Sequence, residues 1–147
     1  MNLKKYTDYA LRVLIFTALK PEGELASIKE ISESFNISSH HLGKIVHELN
    51  KLEYIETIRG RYGGIRLAKR AEDINVGTVV RQFEDDFVLL ECFSKGKNHC
   101  AISPACELKH VLHKALQAFL EVLDQYTIKD LVINNNELLR LLNLNMD

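Results

Sequence analysis

The chain has 147 residues, with 19 basic and 20 acidic side chains for a formal net charge of −1, 46% hydrophobic residues, three cysteines and no tryptophan. That size and balance exclude a disordered or collagen-like chain and suit one compact unit that buries a core without disulfide staples. No run approaches the ~18 apolar residues of a membrane span, and Met1-Asn2-Leu3-Lys4-Lys5-Tyr6-Thr7-Asp8 lacks a signal peptide's apolar stretch, so a cytoplasmic protein with no membrane partner is expected. Taken whole, the charge argues against nucleic acid. Divided, it does not: residues 1–70 hold 12 Lys and Arg against 8 Asp and Glu, and residues 71–147 hold 7 against 12, leaving halves of +4 and −5. Such asymmetry suits a basic segment with a polyanionic partner and an acidic segment with another task.

Leu11, Leu14, Ile15, Ala18 and Leu19 recur at helical spacing, with Thr7 as the expected cap, Asp8 in the first turn and Pro21-Glu22-Gly23 ending the run. Ser27 followed by Glu30 reads as a capping box for a short second helix through Ile28, Ile31 and Phe35, stopping near Asn36. Ser38 or Ser39 then caps a third helix with an apolar face of Leu42, Ile45, Val46, Leu49 and Leu52. Ser39, His40, His41, Lys44, His47 and Lys51 are left outward. Two short helices joined by a tight turn form a helix-turn-helix.

Tyr54-Ile55-Glu56-Thr57-Ile58 alternates, Arg59-Gly60-Arg61-Tyr62-Gly63-Gly64 turns, and Ile65-Arg66-Leu67 alternates again, which predicts a β-hairpin. Standing alone it would read as a solvated surface turn. Directly after a helix-turn-helix it reads as a wing, with Arg59, Arg61 and Arg66 available to phosphates. The third helix would then enter the major groove of double-stranded DNA by its N-terminal end, where Ser39, His40, His41 and Lys44 meet base edges or phosphates. Gly43 costs roughly 1 kcal/mol inside a helix, tolerable where a backbone must approach DNA closely.

Asn75 is the expected cap of a helix through Val76, Val79, Val80 and Phe83, after which Glu84-Asp85-Asp86 reads as a solvated acidic run. Cys92, Cys100 and Cys106 follow within fifteen positions. Three buried thiols acting as small hydrophobes fit poorly in so polar a stretch. A structural zinc site prefers ligand pairs two to four residues apart, and neither spacing here is that tight, although His99 or His110 could complete a mixed set. Three soft thiolates on a wide loop suit an iron–sulfur cluster, and a four-iron cluster would need its fourth ligand from elsewhere.

Pro104 is expected in the first turn of a long helix reaching about Leu123 or Asp124. Leu108, Leu112, Ala115, Phe119, Val122 and Tyr126 alternate four and three apart, the spacing of a helix-pairing seam, and Val111, Leu116, Leu120 and Leu123 widen it. A central core helix would show a stripe too, but this breadth predicts packing both on its own domain and across a homodimer axis. Thr127 to Asp130 caps a short helix, and Leu138, Leu139, Leu141 and Leu142 mark a last one. The predicted class is mainly α: a winged helix-turn-helix over 1–70, a linker helix and cysteine loop over 71–103, and a long dimerisation helix with C-terminal helices over 104–147, in one compact domain. No phosphate-binding glycine loop, Cys-x-x-Cys pair or carboxylate constellation supports an enzyme.

Tyr6-Thr7-Asp8-Tyr9-Ala10-Leu11-Arg12, the tract from Ile55 to Leu67, Glu84-Asp85-Asp86-Phe87, Glu91-Cys92-Phe93, and Ile102-Ser103-Pro104 before Cys106 together resemble the small winged-helix iron–sulfur regulators, the family that includes IscR. The match is strongest to its nitric-oxide-sensing repressors and covers nearly the whole chain. The resemblance implies a homodimeric repressor that holds operator DNA while its cluster, 4Fe-4S rather than 2Fe-2S, is intact, and that releases nitrosative-stress genes when nitric oxide destroys it. It also implies that Cys92, Cys100 and Cys106 are ligands, with Asp8 of the other protomer as the fourth. The IscR-like pattern wants a histidine three residues after the last cysteine, where this chain has Lys109 and then His110. The same fold could instead respond to cluster supply or to thiol oxidation.

Overall fold

The computed structural model describes residues 1–144. Helices α1 (Lys5–Leu19), α2 (Ile28–Phe35) and α3 (Ser39–Lys51) precede strands β1 (Ile55–Ile58) and β2 (Gly64–Leu67). Then come α4 (Val76–Phe83), α5 (Glu107–Leu123), α6 (Ile128–Leu131) and α7 (Asn135–Leu141). The architecture is a mainly helical winged helix, as expected.

Local chemistry explains the helix-turn-helix. The Ser27 hydroxyl accepts from the Glu30 N–H at 3.1 Å while the Glu30 carboxylate accepts from the Ser27 N–H at 2.8 Å, closing the capping box at the start of α2. Asn36, left-handed at φ 53°, ends that helix, and the Ser32 hydroxyl donates to the Ile37 carbonyl at 2.6 Å across the turn. Ser38 then caps α3 by accepting from the His41 N–H. The far end of α3 closes as a Schellman motif, with Tyr54 N–H on the Leu49 carbonyl and Glu53 N–H on that of Asn50, turning the chain straight into β1.

The core lies between α1, α3 and the hairpin, where Leu14, Phe16, Ile31, Leu42, Ile45, Leu49 and Ile55 are fully buried. Strands β1 and β2 pair antiparallel, Ile55 opposite Leu67 and Ile58 opposite Gly64. A backbone bridge from Ile65 to Ala26 fastens the hairpin to the segment before α2. Gly64 allows that approach, since a Cβ there would sit 2.6 Å from the Ala26 carbonyl oxygen. On the other side, the Val76 N–H bonds the Tyr126 carbonyl, the Ile128 N–H bonds that of Ile74, and Arg81 pairs with Asp124, clipping α4, α5 and α6 together.

Three expectations change, and a fourth is made specific. Thr7 is not the cap of α1, because the helix begins two residues earlier and Thr7 is buried inside it. Glu84 is not solvated: only 8% exposed, its carboxylate accepts from the Thr7 hydroxyl at 2.6 Å and the Lys4 N–H at 2.8 Å, binding the end of α4 to the start of α1. Asp85 and Asp86 do face water. Pro104 belongs to a separate single turn, Ser103–Ala105, and α5 starts at Glu107 with Cys106 at its cap. Finally, the apolar stripe of α5 divides. Leu116 and Leu120 are buried and Phe119 and Leu123 pack on the core, whereas Leu108, Val111 and Val122 remain 57%, 59% and 52% exposed.

Candidate functional site

Two surfaces carry the residues singled out above. On the first, Ser39, His40, His41 and Lys44 all lie exposed on the N-terminal half of α3, opposite the buried Leu42, Ile45, Val46 and Leu49. A shallow groove runs between this half of α3 and the start of α1, lined by Tyr6, Ser39, His40, Gly43, Lys44, His47 and Glu48. Tyr6 packs against the Phe83 ring at 5.9 Å, and burial, reinforced by the Glu48 charge, pushes its phenol above the usual tyrosine value. At neutral pH it is a hydrogen-bond donor. A Cβ built on Gly43 would meet nothing within 4 Å, so no contact inside the molecule demands glycine at a helix-interior position that glycine weakens.

The hairpin adds cations to this surface. Arg59, Arg61 and Arg66 are exposed. Arg66 pairs with Glu56 directly across the strands, while neither Arg59 nor Arg61 has an ion-pair partner among the described residues. The three wing arginines are therefore unequal: two are open to an external anion, and the third must first leave a carboxylate.

The second surface is the loop between α4 and α5. Cys92 and Cys106 are half-buried, Cys100 is exposed, and all three are free thiols. Cys92 sits in the single turn Glu91–Phe93, and the Phe93 ring stacks on His113 of α5 at 6.4 Å, anchoring this end of the loop. Cys106 caps α5 with no side-chain bond to the helix. The stretch between is held by its own polar groups: Asn98 accepts from the Cys100 N–H and donates to the Ser103 hydroxyl at 2.8 Å. Among the described residues no three His, Cys, Asp or Glu side chains converge to hold a single metal ion. A one-ion site is thus not assembled in the single chain, while the donor set, three soft unpaired thiols along one loop, fits the larger iron–sulfur group by its chemistry.

Asp8 stands apart from that loop. Its carboxylate grips the Arg12 guanidinium twice, at 2.7 and 3.1 Å, one helical turn along α1. Near the same helix end, Lys4 pairs with Asp85; that hydrogen bond, with the fields of Asp85, Glu84 and Asp86, holds the Lys4 ammonium above the usual lysine value. Tyr6, Glu84 and Tyr62 do not stand out in the sequence as site residues. Only Tyr62 carried a signal, as an aromatic residue in an otherwise glycine-and-arginine turn.

Comparison with known proteins supplies the family context. The family model Rrf2, described as iron-dependent transcriptional regulator, matches residues 3–134. The HTH-type transcriptional regulator NsrR of Oceanobacillus iheyensis is 65% identical over 144 residues, covering 98% of each chain. NsrR of Bacillus subtilis is 56% identical over 144 residues, covering 98% of this chain and 99% of its own. Among solved structures, Staphylococcus aureus CymR is similar with a TM-score of 0.72 at 27% identity, covering 88% of this chain and 97% of that one. IscR from T. potens shares the fold, with a TM-score of 0.71 at 24% identity over 91% of this chain and 88% of that one.

Proposed function

The chain belongs to the Rrf2 family of transcriptional regulators, not to a family of enzymes, and from that premise we propose a cytoplasmic, homodimeric repressor whose hold on operator DNA is relieved by nitric oxide acting at an iron–sulfur cluster. Residues 1–70 read the DNA, the loop between α4 and α5 carries the sensing thiols and runs through Cys106, three residues past the expected boundary at 103, and α5 with the helices after it joins the two copies. The observation that carries the reading is the coexistence of an outward, backbone-open recognition face around Gly43 with three unpaired thiols on one loop.

On DNA, Ser39, His40, His41 and Lys44 enter the major groove from the start of α3, whose free N–H groups and positive dipole end favour phosphate nearby. Arg59 and Arg61 offer charge without first losing a partner, and Arg66 follows once phosphate competes with Glu56. Paired recognition helices need half-sites about 34 Å apart, and so a second copy. The exposed edge of α5 suits it: Leu108, Val111, Ala115 and Val122 recur three, four and seven apart along one line, a seam open to its equivalent on another protomer.

Cys92, Cys100 and Cys106 would hold the cluster as thiolates, leaving one of its four protein-ligand positions for a different side chain; the cluster proposed is 4Fe-4S rather than 2Fe-2S. When bound, the cluster supplies iron that nitric oxide attacks and ties the loop's thiolates together. Asp8 of the partner subunit is the proposed fourth ligand. In the single chain the Asp8 carboxylate belongs to Arg12, so taking that role means exchanging one cation for another. Whichever partner holds Asp8 sets what restrains the first turn of α1, and that turn borders both the recognition groove through Tyr6 and the loop's root through Thr7 and Glu84.

Anaerobic purification tests this, with visible absorption and operator binding followed together as nitric oxide is added. The reading expects a coloured protein whose colour and DNA binding fall in parallel, and an Asp8→Ala variant that loses its cluster sooner. A colourless, iron-free anaerobic protein that still binds DNA and releases it on thiol oxidation would replace cluster sensing by thiol sensing.

A further inference from the structure

We propose that Tyr62 is a minor-groove reader, giving the protein a preference for A·T base pairs where the hairpin meets DNA. The inference rests on the DNA-binding reading above. Tyr62 is 85% exposed, although an aromatic ring buries 150–250 Å² when covered and is costly to leave in water. The turn holds it there. Gly60 takes φ 114°, the Gly63 N–H closes onto the Gly60 carbonyl at 3.0 Å, and a Cβ at Gly63 would lie 2.1 Å from the Ile58 carbonyl oxygen. Tyr62 therefore stands at the tip of a tight turn closed by its own backbone.

The surroundings say what should cover it. The Arg61 guanidinium lies 5.6 Å from the ring centroid, a ready-made cation–aromatic pair. Between Glu56 and Glu72 the chain carries Arg59, Arg61, Arg66, Lys69 and Arg70 and no acidic residue. Arg66 pairs with Glu56 and Arg70 with Glu72 and Asp73, which leaves Arg59, Arg61 and Lys69 without an ion-pair partner among the described residues. A neutral protein pocket would leave that charge unanswered, whereas the DNA minor groove answers it. Its phosphate rims attract arginine, its sugar walls suit a ring face, and its A·T floor presents only acceptors, to which a phenol hydroxyl can donate. At a G·C pair the guanine amino group projects into the same space and competes as a donor.

The test uses the anaerobically purified full chain and duplexes it selects from a random-sequence pool. A hydroxyl-radical footprint locates the hairpin contact, and A·T pairs there are replaced by G·C or by inosine·cytosine, which lacks the minor-groove amino group. The wild type should lose affinity on G·C duplexes and keep it on inosine·cytosine. Tyr62→Ala should bind the A·T duplex about tenfold more weakly and no longer distinguish the three, and Tyr62→Phe should keep the ring's share of affinity while discriminating less. Unchanged Tyr62→Ala binding, or an equal loss on every duplex, would overturn the assignment. Failure of the wild type to select any duplex would instead overturn the DNA-binding reading, and this one with it. Circular dichroism of both variants, matching wild type, excludes misfolding at this exposed tip.

Discussion

Up to Phe83 the chain packs against itself: α1, α2, α3, the hairpin and α4 share one core, and helix after helix buries its apolar stripe. Beyond Phe83 the buried hydrophobic residues, among those described, are Leu116, Leu120 and Ile128, while Leu108, Val111, Val122, Ile102 and Ile133 face outward with the Cys100 thiol. The two regions solve different problems. A DNA-reading unit must present a fixed shape, so its stability comes from its own contacts. On the proposed reading the second region senses and pairs, which calls for apolar and soft-sulfur groups open to a second copy and a ligand. In the single chain the outer edge of α5 and Cys100 are exposed, and Cys92 and Cys106 are half-buried.

Substitutions can break this contrast. The largest effect is expected from Cys100→Ala: loss of visible absorbance and of operator retention in a gel shift, while the cluster-free variant and cluster-free wild type differ in unfolding free energy by no more than about 0.5 kcal/mol because the position is exposed. A variant that keeps colour and binding would remove Cys100 from the ligand set. Next, Val122→Asp on the outer edge of α5 should raise the dimer dissociation constant by about a hundredfold, since an unpaired charge would be buried in the seam. Sedimentation equilibrium would show it, and a monomeric wild type would show that the open edge has another use.

In the first region, Leu49→Ala should cost about 2–5 kcal/mol in urea unfolding, because its fully buried side chain leaves a cavity between α1 and α3. At the boundary, Glu84→Ala should cost about 1–3 kcal/mol by orphaning the Thr7 hydroxyl and the Lys4 N–H. Asp86→Ala, two residues on and in water, serves as the control that should stay within about 0.5 kcal/mol. Equal effects would mean that Glu84 does not join the two regions.

The smallest effect is at the capping box, where Ser27→Ala should cost about 1 kcal/mol at neutral pH. Burial pushes the Glu30 carboxyl up, but Lys20 and the Ser27 N–H and hydroxyl outweigh it and hold the group below the usual glutamate value. A depressed carboxyl stabilises above its unfolded value, and that contribution is lost as pH falls through its folded one. The difference between Ser27→Ala and wild type should therefore narrow on acidification in pH-dependent urea titrations.

Much of the winged helix was legible because its signals are local. Ser27 with Glu30, the left-handed Asn36, the Ser38 cap and the glycine turn of the hairpin each act within a few residues. The candidate DNA face was readable for the same reason, since helical periodicity alone turns Lys44 outward opposite Ile45. Glu84 was not, because its partner Thr7 lies 77 positions away and an acidic triplet looks the same whether or not one member turns inward. Tyr62 carried a compositional signal, an aromatic residue among glycines and arginines, but that its ring stays uncovered is visible only in the folded turn.

The sequence by itself determined the order of helices and strands and, the starts of α1 and α5 aside, roughly where they lie, that three thiols share one loop, and that α5 carries an apolar stripe wider than one contact needs. Only the tertiary structure decided which edge of that stripe is spent on the core and which stays open, that Arg66 is paired while Arg59 and Arg61 have no partner among the described residues, and that Glu84 ties the loop's root to α1. The reason is range. Caps, turns and periodicity are backbone chemistry between near neighbours, whereas the facing of a stripe and the pairing of a charge depend on surfaces that meet only after the chain has folded.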